Sequence, residues 1–249
     1  MNYGICNLSI VSLRFENSDR SEMVSQVLYG DLFELLEITK KWSRIRLMYD
    51  NYEGWIDNKQ FICLTENEYD SLNQLSTKLS TNLLDIITTS TNELLPISIG
   101  SNVAIIDYLN HSFDGAINDS SFSKSTIIET AYLYLNSPYL WGGKTPFGID
   151  CSGFTQMVYR LNGIQLFRDA SQQVTQGEAL SFIEESVPGD LAFFDDEEGN
   201  ITHVGIIMKN NQIIHAHGKV RIDHLDHSGI FNNESQTHTH KLRVIKRIV

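Results

Sequence analysis

The sequence predicts an α+β protein, with one or two small all-β barrels ahead of a domain in which two helices are followed by consecutive strands. Three observations lead there. Residues 1–64 hold short alternating stretches between closely set turns, residues 123–161 show helical periodicity twice, and after Val187-Pro188-Gly189-Asp190 come three strand-like runs, Leu191 to Phe194, His203 to Met208 and Gln212 to His217. Helices grouped before strands, instead of alternating with them, indicate α+β. At 249 residues the chain can hold one sizeable domain or two to three small ones.

The first domain is expected over residues 1–64. In Trp42-Ser43-Arg44-Ile45-Arg46-Leu47, Ile45 and Leu47 fall on one face and Arg44 and Arg46 on the other. Turn signals at Tyr29-Gly30-Asp31 and Asp50-Asn51-Tyr52-Glu53-Gly54 bracket such strands. Thr65-Glu66-Asn67-Glu68 is a capping-box pattern, and Tyr69, Leu72 and Leu75 follow at helical spacing. Residues 65–122, rich in Ser, Thr and Asn beyond residue 80, contain strand-like pieces from Leu84 to Thr88 and from Asn102 to Ile106; they form a second, degenerate β module or a connector.

The third domain spans 123–249. Ile127, Ile128, Ala131, Tyr134 and Leu135 trace one helical face that ends at Asn136-Ser137-Pro138. A second helix starts near Cys151, with Phe154, Met157 or Val158, and Leu161 on one face and Gly163 as its stop. The segment from Asp223 to His240 is expected to be a surface loop before a last strand, Leu242 to Ile248.

Hydrophobic content of 41% and charged content of 20% fit a soluble globular protein. The net charge of −12 argues against nucleic acid or an anionic membrane as the main partner, because both require basic surface. Met1 to Cys6 has no Lys or Arg ahead of an apolar core, and no apolar run approaches the ~20 residues of a membrane span. A cytoplasmic protein is therefore expected. Cys6, Cys63 and Cys151 have neither disulfide-framework nor metal spacing and read as free thiols.

The segment Asp150-Cys151-Ser152-Gly153-Phe154 is the most informative. With Asp150 as N-cap, Cys151 opens the helix, where free amides and the helix dipole favour a thiolate. The other reading is a buried cysteine packed as a small hydrophobe. Two histidines, His203 and His215, supply the imidazole that activates a thiol and a polar group that orients it. The hairpin between them decides whether they can meet. A two-residue turn at Asn210-Asn211 puts them on opposite faces. A three-residue loop, Lys209-Asn210-Asn211, sets Gly205 opposite His215 and His203 on the same face, so the pair requires an odd loop or a bulge. His215-Ala216-His217 and His238-Thr239-His240 lack accompanying Cys or carboxylates at ligand spacing, so neither a metal nor another cofactor is expected.

These residues carry a family resemblance. Asp150-Cys151-Ser152-Gly153-Phe154, His203-Val204-Gly205-Ile206 and His215-Ala216, with Tyr139-Leu140-Trp141-Gly142-Gly143, Arg168-Asp169-Ala170-Ser171-Gln172-Gln173 and Pro188-Gly189-Asp190, resemble the NlpC/P60 cysteine peptidase domain. The resemblance implies a papain-like fold with Cys151 as nucleophile, His203 as base and His215 as the group that orients His203. Ser21 to Gln26, Tyr29-Gly30-Asp31, Trp42 and Gly54-Trp55-Ile56 resemble a bacterial SH3-like module. The combination is similar to γ-D-glutamyl-L-diamino acid endopeptidases of the dipeptidyl-peptidase VI group. It implies cleavage between D-γ-Glu and diaminopimelate or Lys in murein tri- and tetrapeptides that begin with free L-Ala, a step in cell-wall peptide recycling. It further implies that Tyr139, Ser152 and Asp169 line the substrate site and that Glu22 and Tyr52 of the SH3-like module hold the substrate's amino terminus. The alternatives are a secreted peptidoglycan hydrolase of the same chemistry, a non-catalytic wall-peptide binding protein, and an acyltransferase or lipid amidase on the same scaffold.

Overall fold

A computed structural model describes residues 2–118 and 124–248. The chain forms two compact units, Met1–Ser121 with Trp141–Pro146 and Phe122–Leu140 with Phe147–Val249.

In the first unit, β1 (Tyr3–Ile5), β2 (Ile10–Arg14), β3 (Met23–Leu28), β4 (Leu32–Ile38), β5 (Trp42–Leu47), β6 (Glu53–Asp57) and β7 (Ile62–Leu64) make one sheet in the order β3-β2-β6-β5-β4-β1-β7. Alternation sets which faces meet. Ser43, Ile45 and Leu47 of β5 point inward beside Val11, Leu13, Val27, Phe33 and Ile56. Arg44 and Arg46 point outward and pair with Glu53 of β6, and Arg46 also with Glu34 of β4. The turn after β3 needs Gly30 at φ +82°, because a Cβ there would strike the Asn102 carbonyl.

Residues 65–118 share a core with this sheet. α1 (Glu66–Asn73) opens with the reciprocal Thr65–Glu68 capping box and buries Tyr69 and Leu72. Those side chains pack with Ile5, Tyr29, Leu64, Ile87, Ile97, Val103 and Ile105. β8 (Leu84–Thr88) and β9 (Leu94–Ser98) form a separate two-stranded hairpin. The strand expected at 102–106 is instead a single 3₁₀ turn, Val103–Ile105, because the Asn102 side chain caps it by accepting from the Ala104 amide. Val103 and Ile105 are both buried there, a result that alternation along a strand would give equally. β10 (Lys144–Thr145) also belongs to this unit.

The second unit begins with α2 (Lys124–Leu133), which buries Ile127 and Ala131, while Tyr134 is buried just past its end; Leu135, expected on the same face, is exposed because the helix has already stopped. After the short β11 (Gly148–Ile149) come α3 (Cys151–Leu161) and the single-turn α4 (Ala170–Gln173). The strands are β12 (Glu178–Leu180), β13 (Leu191–Asp195), β14 (Ile201–Met208), β15 (Gln212–His217), β16 (Lys219–Asp226), β17 (Gly229–Asn232) and β18 (Thr237–Arg247). β18 pairs with β13 on one edge and β17 on the other, closing six strands into a barrel with β12 outside it. Ala192, Phe194, Ile207, Ile213, Leu225, Ile230 and Ile245 form one buried cluster of this barrel, and α3 packs across β14 and β15.

The segment 223–240, expected as a surface loop, is therefore mostly strand. β16 follows β15 through Gly218 alone, at φ +72°, and the bulge between Ile230 and Phe231 lets β17 pair with β18. No helix among the described residues is long and apolar enough to cross a membrane.

Candidate active site

Asp150 is the N-cap of α3 and accepts a 2.6 Å hydrogen bond from the Gly153 amide. Its carboxylate also meets Arg168 through two hydrogen bonds, Nη1–Oδ1 at 3.0 Å and Nη2–Oδ2 at 2.6 Å, with both side chains buried. A buried guanidinium is tolerable only with such a partner. The pair anchors the helix start, and with it the backbone of Cys151. Ser152 lies inside this network, accepting from Arg168 at 3.0 Å.

Cys151 is buried, with Sγ 4.0 Å from the Thr202 carbonyl. Its thiol does not follow the dipole argument. Burial and the Asp150 carboxylate push its pKa up to about 12, against the lowering effects of the Val204 amide, Arg168 and the Ser152 amide. Burial, with the capping acid as the second cause, outweighs the helix's preference for a thiolate. The expectation of a preformed thiolate is corrected accordingly: the resting sulfur is protonated.

β14 and β15 pair with Gly205 opposite His215 and Met208 opposite Gln212, which is the register of the three-residue loop Lys209-Asn210-Asn211. Asn210 and Asn211 both take left-handed conformations, at φ 60° and 55°, as asparagine tolerates. His203 and His215 therefore share a face, and His203 Nε2 lies 2.8 Å from His215 Nδ1. Gly205 makes room between them, since a Cβ there would stand 2.8 Å from the His215 Cβ and 2.7 Å from Ile213.

The chain of contacts continues beyond the histidines. His215 Nε2 lies 3.0 Å from Asp223 Oδ2 on β16, and Arg221 grips the same carboxylate at 2.7 and 3.0 Å. Burial works against the Asp223 carboxylate, but hydrogen bonds from His215 and Arg221 outweigh it and hold its pKa at about 2. His215 is lowered by burial, against the pull of Asp223, and His203 lies well below 6.5 through burial and its histidine neighbours. Both rings are thus neutral, and the tautomers follow. An ionised carboxylate only accepts, so His215 donates from Nε2. Its Nδ1 must then accept from His203 Nε2, which leaves His203 Nδ1 as a bare acceptor.

Tyr139 bridges to Ile149, and burial, followed by Cys151 and Asp150, raises its phenol to about 12, so it stands within electrostatic reach of the Cys151 sulfur. Asp169 is half-buried at the start of α4, one residue after Arg168. Glu22 and Tyr52 lie in the first unit. Glu22 Oε1 accepts from the Trp141 indole at 2.5 Å, and Tyr52 packs against the sheet core.

Sequence reasoning missed Asp223, Arg221 and His240. The signal for the first two was the alternation Val220-Arg221-Ile222-Asp223, beginning three residues past His217, in a strand hairpinned back on β15. His240 stacks on His203 with centroids 4.1 Å apart and planes 25° apart. Ring nitrogens of His203, His215 and His240 come within 4.8 Å of one another. Yet imidazole lone pairs lie in the ring planes, so near-parallel stacked rings do not converge on one ion, and two of the three rings already share a hydrogen bond. The cluster does not fit a tetrahedral metal centre.

Residues 136–241 match the NlpC/P60 family, and residues 13–61 match the bacterial dipeptidyl-peptidase SH3 domain. Dipeptidyl-peptidase 6 of Lysinibacillus sphaericus is 28% identical over a 255-residue alignment covering 87% of this chain and 89% of that protein. The gamma-D-glutamyl-L-lysine dipeptidyl-peptidase of Bacillus subtilis (strain 168) is 40% identical over 92 residues, 36% of this chain and 31% of that protein. An NlpC/P60 family protein from Bacillus cereus ATCC 10987 has the same fold, with a TM-score of 0.79 over 99% of both chains at 18% identity. The chain thus carries an NlpC/P60 cysteine peptidase domain over residues 136–241, behind a bacterial dipeptidyl-peptidase SH3 domain over residues 13–61.

Proposed function

We propose that the enzyme hydrolyses the bond between D-γ-Glu and a diamino acid, diaminopimelate or Lys, in free murein peptides with an unblocked L-Ala terminus. The observation that carries the reading is the hydrogen-bonded run from Asp223 through His215 to His203, which ends at β14 beside the Cys151 sulfur. The name of one relative, a gamma-D-glutamyl-L-lysine dipeptidyl-peptidase, supports this choice of bond.

In this mechanism His203 Nδ1 takes the thiol proton as Sγ attacks the γ-carbonyl of D-Glu. The proton leaves only in the attack step, as the high thiol pKa requires. Amides at the start of α3 would meet the developing oxyanion, the contribution that is usually largest. His203 then returns its proton to the leaving amine, and water hydrolyses the thioester. The substrate's L-Ala ammonium calls for a counter-charge, and Asp169 is assigned to it, with Tyr139 and Ser152 lining the same site. For Glu22 and Tyr52 the support is the family resemblance alone. The net charge of −12 favours free peptides over a polyanionic wall.

Incubation with L-Ala-γ-D-Glu-diaminopimelate and mass measurement of the products tests the bond: L-Ala-D-Glu should appear. Acetylating the L-Ala amine should nearly abolish its release, and equal rates on blocked and free peptides would remove the amine-recognition role.

A further inference from the structure

The imidazole that takes the thiol proton also returns it to the leaving amine, so the leaving group departs on the His203 side of the nucleophile. On that side the second unit holds a cavity of about 570 Å³, lined by Asp195, Asp196, Glu197, Thr202, His240 and Lys241. Two of its walls adjoin the reacting atoms. The Thr202 carbonyl lies 4.0 Å from Cys151 Sγ, and the His240 ring stacks on His203.

The cavity is acidic, with three carboxylates against one lysine, and the three are not equivalent. Asp196 is engaged by its own turn, accepting from the amides of Glu198 and Asn200. Glu197 is exposed beside it. Asp195, placed by a bulge at the end of β13, has a side chain only 4% exposed. Its Oδ1 has no hydrogen-bond partner among the described residues, and Arg243, the cation that approaches it, stays 3.7 Å from Oδ2 on a side chain 64% exposed. A buried carboxylate left this way is unfavourable until a cation or donor reaches it.

We infer that this cavity takes the side-chain ammonium of the leaving diamino acid, with Asp195 and Glu197 as its counter-charges, an assignment that rests on the reaction proposed above. It gives the acidic wall a use in that reaction: a γ-glutamyl peptide whose leaving residue ends in an amine is bound by charge on the departing side, and one ending in a methyl group is not.

The test measures release of L-Ala-D-Glu from L-Ala-γ-D-Glu-L-Lys and from the same peptide with norleucine in place of Lys, on the full chain and on its D195N and E197Q variants. A charge-assisted contact predicts kcat/KM about tenfold or more higher for the Lys peptide, and a preference that shrinks by about threefold or more in each variant. Glu197 is exposed, so E197Q keeps the test open if D195N fails to fold. Equal rates on the two peptides, or an undiminished Lys preference in E197Q, overturn the assignment and leave the reaction standing. Release of the dipeptide from neither peptide overturns the reaction and the assignment together.

Discussion

Asp223 stands two hydrogen bonds away from the His203 nitrogen proposed to accept the thiol proton, and its charge sets which nitrogen is free to do so. Its carboxylate, held ionised at a pKa of about 2, requires His215 to donate from Nε2, and the requirement passes to His203. Replacing Asp223 with Asn keeps the shape but removes the charge that fixes both tautomers. D223N should lower kcat by about tenfold or more with little change in KM, because the proposed mechanism makes Asp223 a positioning residue; steady-state kinetics within twofold of the parent would reject that role. The same neighbourhood sets the pH response. Burial and adjacent imidazoles hold His203 well below its ordinary 6.5, so its neutral, proton-accepting form persists as pH falls through 6.5. The acidic limb of kcat/KM should therefore lie below pH 6.5, as an apparent value belonging to the coupled histidines. A limb at or above pH 7 would contradict a buried neutral base.

Hairpins bring these residues together, and the strand pattern made only part of that visible. α3 was legible because Phe154, Met157 or Val158, and Leu161 repeat at helical spacing behind a capping acid, and β13 to β15 because their apolar runs are bounded by turn residues. The loop at 209–211 was legible as a condition: the histidines can meet only across an odd-length loop or a bulge, and a three-residue loop with two left-handed asparagines provides it. β16, β17 and the first half of β18 were not read as strands, although the last strand was expected from Leu242 onward and Val220 to Asp223 alternates. Polar side chains dominate 219–240, so apolar alternation past Asp223 is too sparse to mark a strand. The turn at 103–105 was misread because its two buried residues fit a strand as well as a 3₁₀ turn, and the capping contact of Asn102 leaves no apolar signal. Gly205 carries the element-scale prediction. A methyl group there would stand under 3 Å from His215 and Ile213, so G205A should cost about 1–3 kcal/mol of stability and reduce kcat by prying the two strands apart at the histidines. Denaturant unfolding and kinetics check the two effects, and an unchanged kcat would show that close approach at Gly205 does not hold the pair.

Over the whole molecule, the two units divide the chemistry that was legible in the sequence. The second unit contains Cys151, His203, His215 and Asp223, the groups of the proposed cysteine mechanism, on one helix start and three consecutive strands, while the first contains Glu22 and Tyr52. Thiol chemistry without a metal also predicts an enzyme that a chelator leaves active and an alkylating agent stops. The central claim is that Cys151 forms a covalent bond with the substrate's acyl group. Acid quenching of the enzyme during turnover of L-Ala-γ-D-Glu-L-Lys, followed by digestion and mass spectrometry, should find the L-Ala-γ-D-Glu acyl group as a thioester on the peptide containing Cys151, and neither adduct nor turnover in C151A. Turnover that survives in C151A, or an adduct carried by any other residue, would contradict the account.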